Sequence, residues 1–339
     1  MSSTTSAASP LGQQTASDPA ISNASRLDSD RTDGSGHPLG GTSQRPRWVQ
    51  RVLGFVALTK PRIIELLLVE TVPTMILAKR GWPGWTLVIV TVIGGTLAAG
   101  GAHAVNMVVD RDIDAKMQRT SSRPLVTGLI QPAEALVFAA VLEIVAFAML
   151  WRWVNLLAAA LAFSAFAFYV VVYTLWLKRR YASNIVIGGA AGAAPVLIGW
   201  AAVTNQLSPA AWLLFTLIFL WTPPHFWALA IRYREEYTAA DVPMLPSVAS
   251  ERATTLRILA YTVACLATSA ALIPVGDLGP VYAVLAGLAG AGFLGLAWRV
   301  HQAPTQRGAM KLFGFSITYV SIIFAAIAAD PLIGLGWPS

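Results

Sequence analysis

The sequence predicts an all-α polytopic membrane protein with about nine transmembrane helices, and three observations predict it. Of its 339 residues, 55% are apolar and only 12% charged, against about 25% charged in an average soluble domain. The mean hydropathy is +0.60. The apolar residues come in long unbroken runs rather than amphipathic periods. A soluble core cannot use such runs, because its outer faces need polar side chains.

Residues 1–45 are rich in Ser, Thr, Ala, Gly and Pro and contain no apolar stretch. Such a segment has nothing to bury and is expected to be a disordered N-terminal arm. It lacks the apolar core of a secretory signal. Asp18, Asp28, Asp30 and Asp33 argue against an organelle transit peptide, which favours a bacterial cell (inner) membrane over a mitochondrial one. The membrane-embedded domain is expected to span 46–339. It holds nine apolar runs, at 62–79, 85–109, 133–151, 154–177, 185–203, 210–231, 256–275, 279–298 and 311–329. Each is near the ~20 residues that cross ~30 Å of hydrocarbon at about 1.5 Å per residue. Barrel strands alternate over about 10 residues, and these runs do not.

The net charge of +7 would suggest nucleic acid in a soluble protein. Here the basic residues lie in short loops, where orientation in the bilayer explains them, and no nucleic-acid partner is expected. With the N-terminus inside, nineteen Lys and Arg fall on inner segments and three, Lys79, Arg80 and Arg152, on outer ones. That bias predicts an N-in, C-out topology with a multi-pass chain. The single cysteine, Cys265, lies inside an apolar run. It can form no internal disulfide and offers no zinc site.

The second run ends in HAVNMVVDRDIDAKMQRTSSRPL. At about 100° per residue, Asn106, Asp110 and Asp114 fall within about 80° of one another, with His103 on the same stripe and Asp112 opposite. Carboxylates four residues apart repel, and more so at a membrane boundary, unless a cation lies between them. Mg²⁺ suits the stripe, being held by one or two carboxylates with phosphate oxygens and water completing its octahedron. Lys116, Arg119 and Arg123 follow at once and can clamp phosphate. The expected metal ligands are therefore Asp110, Asp114 and Asn106. An EF-hand is excluded, since Ala115 and Ser121 stand where its Gly and Glu belong.

The other loops on the same side add candidates. YTLWLKRR places Tyr173 about one turn from Lys178, which can reach a phosphate; Arg179 and Arg180 read as a stop-transfer cluster. In LWTPPHFWALAIRYREEYTAAD, Pro223 and Pro224 are expected to break or kink the sixth helix just before His225. Glu235, Glu236 and Asp241 follow and can form a second acidic group, with a solvated loop as the alternative. Gly188 and Gly192, four apart, indicate close helix packing. Glu65 and Glu70 lie about 140° apart, so they do not act together, and Glu65, nearer the inner end, can line a cavity.

These strings resemble the UbiA-type intramembrane prenyltransferases. LTKPRIIELLLVETVPTM, DRDIDAKMQRTSSRPLVTGLI, YTLWLKRR, NIVIGGAAGAAPVLIGW, TPPHFWALAI and VPMLP occur in family order across residues 55–329. The resemblance implies nine helices around a central cavity open to lipid, with the active site on the cytoplasmic side. It implies farnesyl diphosphate held through Mg²⁺ by Asn106, Asp110 and Asp114, with Arg119, Arg123 and Lys178 on phosphate. TPPHFWALAI and NIVIGG point to the branch whose acceptor is heme B, with His225 and Tyr173 on the heme side and a possible membrane partner in heme A synthesis or oxidase assembly. The chain departs from the pattern in three places: REEYTAAD replaces a second Asp-x-x-x-Asp, leaving Glu235 or Glu236 to take its metal role, Asp241 stands in place of Gly, and Glu70 in place of Thr. Three other readings stay open: a UbiA-type enzyme with another aromatic or tetrapyrrole acceptor, a transporter, and a heme-binding membrane subunit.

Overall fold

The computed structural model describes residues 46–333, all of whose regular structure is helical. The expected arm, 1–45, lies outside the described residues, as does the side chain of Glu65. The helices are α1 (Arg47–Leu58), α2 (Pro61–Lys79), α3 (Trp85–Val109), α4 (Arg111–Lys116), α5 (Pro132–Trp153) and α6 (Leu156–Ala167). A π-helical segment, Phe168–Leu177, continues α6 without a break. Then come α7 (Asn184–Thr204), α8 (Pro209–Arg232), α9 (Arg234–Ala239), α10 (Leu245–Val248), α11 (Glu251–Val275), α12 (Pro280–Gln302) and α13 (Gln306–Ile333).

Among the described residues, eight helices are long and apolar enough to cross a membrane, counting α6 and its continuation as one. The first expected run forms α2, but its 19 residues include Arg62, Glu65, Glu70 and Lys79, and it falls outside that set. Length and composition thus support eight spans of the nine expected. Even so, α2 packs inside the bundle against α3, α7 and α13.

Small residues set the closest approaches. A Cβ on Gly199 of α7 would lie 2.9 Å from the backbone oxygen of Thr71 on α2, and one on Gly101 of α3 would lie 3.0 Å from the Ala139 oxygen on α5. A backbone atom cannot swing aside as a side chain can. Gly199→Ala is therefore expected to lower stability by about 1–3 kcal/mol through overpacking, read as a fall in melting temperature of the detergent-solubilised protein.

Two expectations need correction here. Pro223 and Pro224 do not break the sixth span: α8 runs through both. Its neighbours α7, α11 and α13 enclose it, so the bundle tolerates the two lost N–H donors, which would otherwise bond the Phe219 and Leu220 carbonyls. Of the two glycines proposed for packing, Gly188 lies against the Tyr173 ring, whereas Gly192 faces open space. The tight neighbour is Gly189, against Thr222 of α8.

The sequence reading gave no helix to 47–58, yet α1 forms there. Its Leu58 is fully buried with Ile130, Ala135 and Ala139, and Arg51 pairs with Glu134 at 2.5 Å. Trp48 is exposed, and Val52 and Val56 stay exposed along a groove of about 840 Å³ shared with Val137 and Phe138 of α5. A short helix with one packed and one bare apolar face is suited to the membrane interface.

Candidate active site

The stripe expected after the second run exists. Asp110 ends α3 and starts α4, and its N–H donates to the Asn106 carbonyl at 2.9 Å. The Asp114 N–H then donates to the Asp110 carbonyl at 2.8 Å. Helical pitch therefore carries across the junction and keeps Asn106, Asp110 and Asp114 on one face. All three are buried, Asp110 completely (0% exposed). Asp112 faces away, exposed, in a two-bond pair with Arg179 at 2.6 and 2.8 Å that holds its carboxyl down to about 2.

Four cations reach this face: Arg179, besides its pair with Asp112, stands 4.0 Å from the Asp110 oxygen that accepts no hydrogen bond, and three others make closer contacts. Lys178, at the end of the π-helical segment, pairs with Asp110. Arg123 reaches Asp114 at 2.6 Å. Lys60 donates to the Asn106 side-chain oxygen at 2.9 Å. The Asn106 amide donates to Asp110 at 2.7 Å and to Thr174 at 3.2 Å. Lys60 is pushed down to about 7, first by burial and then by the nearby charges of Arg123 and Lys178. The cluster holds one more basic group than acidic ones. One oxygen of Asp110, buried, has no hydrogen-bond partner. A buried carboxylate oxygen left orphaned costs free energy unless something fills the place.

That oxygen is the test for a metal. Among the described residues, no three His, Cys, Asp or Glu gather into a metal-holding group. Mg²⁺ does not need three: two carboxylates, an amide oxygen, substrate phosphate and water match its habit. Asp110 and Asp114 fit it as they stand, and Asn106 fits it once its side-chain oxygen, which accepts from Lys60, is turned to the metal.

The remaining candidates divide. Tyr173 is at the cradle, its ring 5.2 Å from that of Tyr169 and pressed on Gly188. Its carbonyl accepts from the Lys178 N–H at 2.9 Å, five residues on, so the π-helical pitch sets Lys178 one turn from Tyr173. Arg119 does not touch the stripe but lies over the Tyr233 ring at 5.5 Å. Lys116 is drawn off to Asp241, 3.5 Å away and exposed. Tyr237 of α9 is buried in one apolar cluster with Ile113 of α4 and with Met117 just beyond it. Of its two acids, Glu236 has a buried oxygen without a partner, whereas Glu235 is exposed and lines a different pocket.

His225 is placed apart from the stripe, between the rings of Trp221 and Phe313 at 4.4 and 4.5 Å. Ser316 donates to the Phe313 carbonyl at 2.6 Å, so the 2.7 Å contact has His225 Nδ1–H donating to the serine oxygen. That leaves Nε2 as the acceptor. No described hydrogen bond or ring contact joins His225 to Asn106, Asp110 or Asp114.

Sequence reasoning missed Lys60 and Thr174. Lys60 was counted only as an orientation charge. Its left-handed backbone (φ 53, ψ 62) before Pro61 has no sequence signal, because Lys gains nothing from that region. Thr174 looked like one more small residue of an apolar run.

Residues 67–323 match the UbiA prenyltransferase family. A protoheme IX farnesyltransferase from Renibacterium salmoninarum is 53% identical over 286 residues, covering 83% of this chain and 90% of that one. The protein of the same name from Streptomyces coelicolor is 50% identical over 305 residues, 86% and 96% of the two chains. Among solved structures, a digeranylgeranylglyceryl phosphate synthase superposes with a TM-score of 0.71 at 17% identity, over 84% of this chain and 99% of its own. A UbiA homolog from Archaeoglobus fulgidus bound to DMAPP and Mg²⁺ superposes with a TM-score of 0.60 at 16% identity, over 81% and 99%. The helical bundle is common to these solved structures, and the family match runs through most of the described chain, so the chain belongs to the UbiA prenyltransferase family.

Proposed function

We propose that the chain transfers the farnesyl group of farnesyl diphosphate to a vinyl group of heme B, with addition of water, giving heme O and diphosphate. The observation that carries this reading is the fully buried Asp110, with one oxygen that accepts no hydrogen bond, on a stripe met by Lys178, Arg179, Arg123 and Lys60 at the end of a membrane helix. Curated relatives named protoheme IX farnesyltransferase, at about half identity, supply the acceptor.

Asp110, Asp114 and Asn106 hold Mg²⁺, which supplies charge neutralisation to a departing diphosphate. Lys178, Arg123 and Lys60 take diphosphate oxygens, and their excess of positive charge lowers the cost of the leaving group's growing negative charge. The C1–O bond breaks with its electron pair going to the diphosphate. The apolar helices keep water away, and the paired faces of Tyr169 and Tyr173 favour the allylic cation. C1 then bonds the terminal vinyl carbon. Water adds to the inner vinyl carbon and loses a proton, which leaves the hydroxyethylfarnesyl group. Tyr173 and His225 belong to the heme side of this arrangement, His225 through its open Nε2. The cradle faces the cytoplasm of a bacterial cell membrane, as the Lys and Arg bias supports.

Glu236, rather than Glu235, is the candidate that completes the acidic set, because its buried oxygen has no partner while Glu235 is exposed. Glu236→Gln is expected to raise the Mg²⁺ concentration needed for half-maximal rate by about tenfold, the size typical of a supporting ligand, with a smaller change for Glu235→Gln. The activity itself is tested by incubating purified protein with heme B, farnesyl diphosphate and Mg²⁺ and weighing the extracted hemes. A heme heavier by farnesol is expected. Unchanged heme B, with turnover on a quinone-ring acceptor, would replace the acceptor in this reading.

A further inference from the structure

His103 is the member of the polar stripe that neither the metal nor the diphosphate uses. It stands on α3 three residues before Asn106, one turn or about 4.5 Å farther from the helix end. It is 8% exposed, and the charges of Lys60 and Arg123 reach it. Its ring lies 5.5 Å from that of Tyr169 and perpendicular to it, and Tyr169 in turn faces Tyr173. The imidazole therefore sits where the diphosphate cradle gives way to the apolar interior.

Neither of its ring nitrogens has a hydrogen-bond partner among the described residues. Nδ1 is sealed in without one, and Nε2, also without one, is not sealed. The other described histidines are partnered, His225 with Ser316 and His301 with Thr255. A buried polar group left unpaired is costly unless an occupant bonds it. Packing alone would be served better by Leu.

Farnesyl transfer to heme needs a water at one place. Once C1 has bonded the terminal vinyl carbon, positive charge rests on the inner vinyl carbon, two bonds from C1. C1 starts at the diphosphate, so the water that meets this charge must stand beside the cradle, on its apolar side. His103 is there. Of its neighbours, Lys60 is engaged with Asn106, and the phenols of Tyr169 and Tyr173 are poor proton acceptors. A neutral imidazole keeps one nitrogen lone pair free to accept.

We propose that His103 holds the water that quenches this cation and takes its proton, an inference that rests on the heme reading above. The water oxygen bonds the inner vinyl carbon, one of its O–H bonds breaks, and the proton goes to Nε2, while Nδ1 carries the hydrogen of the neutral ring. Without a held water, the cation loses a proton from the neighbouring carbon instead. The adduct is then an alkene, lighter by one water molecule.

The test incubates the purified full-length protein and its His103 variants with heme B, farnesyl diphosphate and Mg²⁺ and weighs the extracted hemes. His103→Leu is expected to lower the ratio of hydrated to alkene adduct by at least about a hundredfold, the lower end of what a positioned base contributes. Its melting temperature should hold or rise, because an unpaired buried group is gone. Where His103→Leu does not fold, His103→Met takes its place. His103→Gln, which accepts a hydrogen bond but no proton, should restore part of the hydrated adduct. A merely structural role would lower both adducts together and leave their ratio alone. An unchanged ratio in the Leu and Gln variants overturns the proposal. So does loss of all adduct in both at an unchanged melting temperature, or a ratio that shifts in His225→Leu but not in His103→Leu. A native protein that makes neither adduct overturns the heme reading and this proposal with it, a result distinct from an unchanged ratio.

Discussion

Replacing Asp110 by Asn is expected to lower the rate of prenyl transfer about a thousandfold, the scale of losing a metal-bound charge stabiliser. The side chain keeps its shape and its contact with Asn106, so geometry alone does not account for the loss. The same change removes the partner of Lys178, whose side chain is only 15% exposed. An uncompensated buried charge costs about 3–5 kcal/mol, and the melting temperature should fall with the activity. Those effects separate in a second variant. Asp110→Asn/Lys178→Met removes both charges, so it should recover most of the melting temperature and none of the rate. Recovery of the rate as well would mean that Asp110 serves only to hold Lys178.

Gly188→Val is expected to damage the site from outside it. A Cβ at Gly188 would come within 2.3 Å of the Tyr173 ring, so the ring or the backbone that carries it must move. That backbone is the π-helical segment, which also carries Thr174 to Asn106 and Lys178 to Asp110. A shift of about 1 Å in positioning groups can cost about a hundredfold in rate, and overpacking adds about 1–3 kcal/mol of instability. Gly192→Ala is the control, since a Cβ there meets nothing within 4 Å. It should change the melting temperature by no more than an ordinary surface substitution does, about 0.5 kcal/mol in stability. Steady-state rates and melting curves of the two variants check this directly.

The spans were legible because the bilayer imposes length and composition on each helix, and one acidic stripe was legible because helical pitch runs unbroken from Asn106 to Asp114. The basic residues were harder, because a long cation reaches far from its own backbone. Lys116 and Arg119 stand in the same string as Arg123, yet only Arg123 turns to the stripe, while the others find Asp241 and the Tyr233 ring. Lys60 shows the converse, arriving from a different segment through a left-handed backbone turn. Pro223 and Pro224 misled because their cost is local, whereas the packing that tolerates them comes from three distant helices. The short α1 was invisible to a search for spans, being amphipathic and only 12 residues long.

The most direct measurement is binding of a non-reacting farnesyl thiodiphosphate across a Mg²⁺ titration, in the native protein and in Asp110→Ala/Asp114→Ala. The native protein should bind more tightly as Mg²⁺ rises, by at least about a hundredfold over the titration, in line with loss of a supported metal site. The variant should bind weakly and show no response to the cation. Equal Mg²⁺ dependence in both proteins would contradict the assignment of these two carboxylates to the metal and its diphosphate.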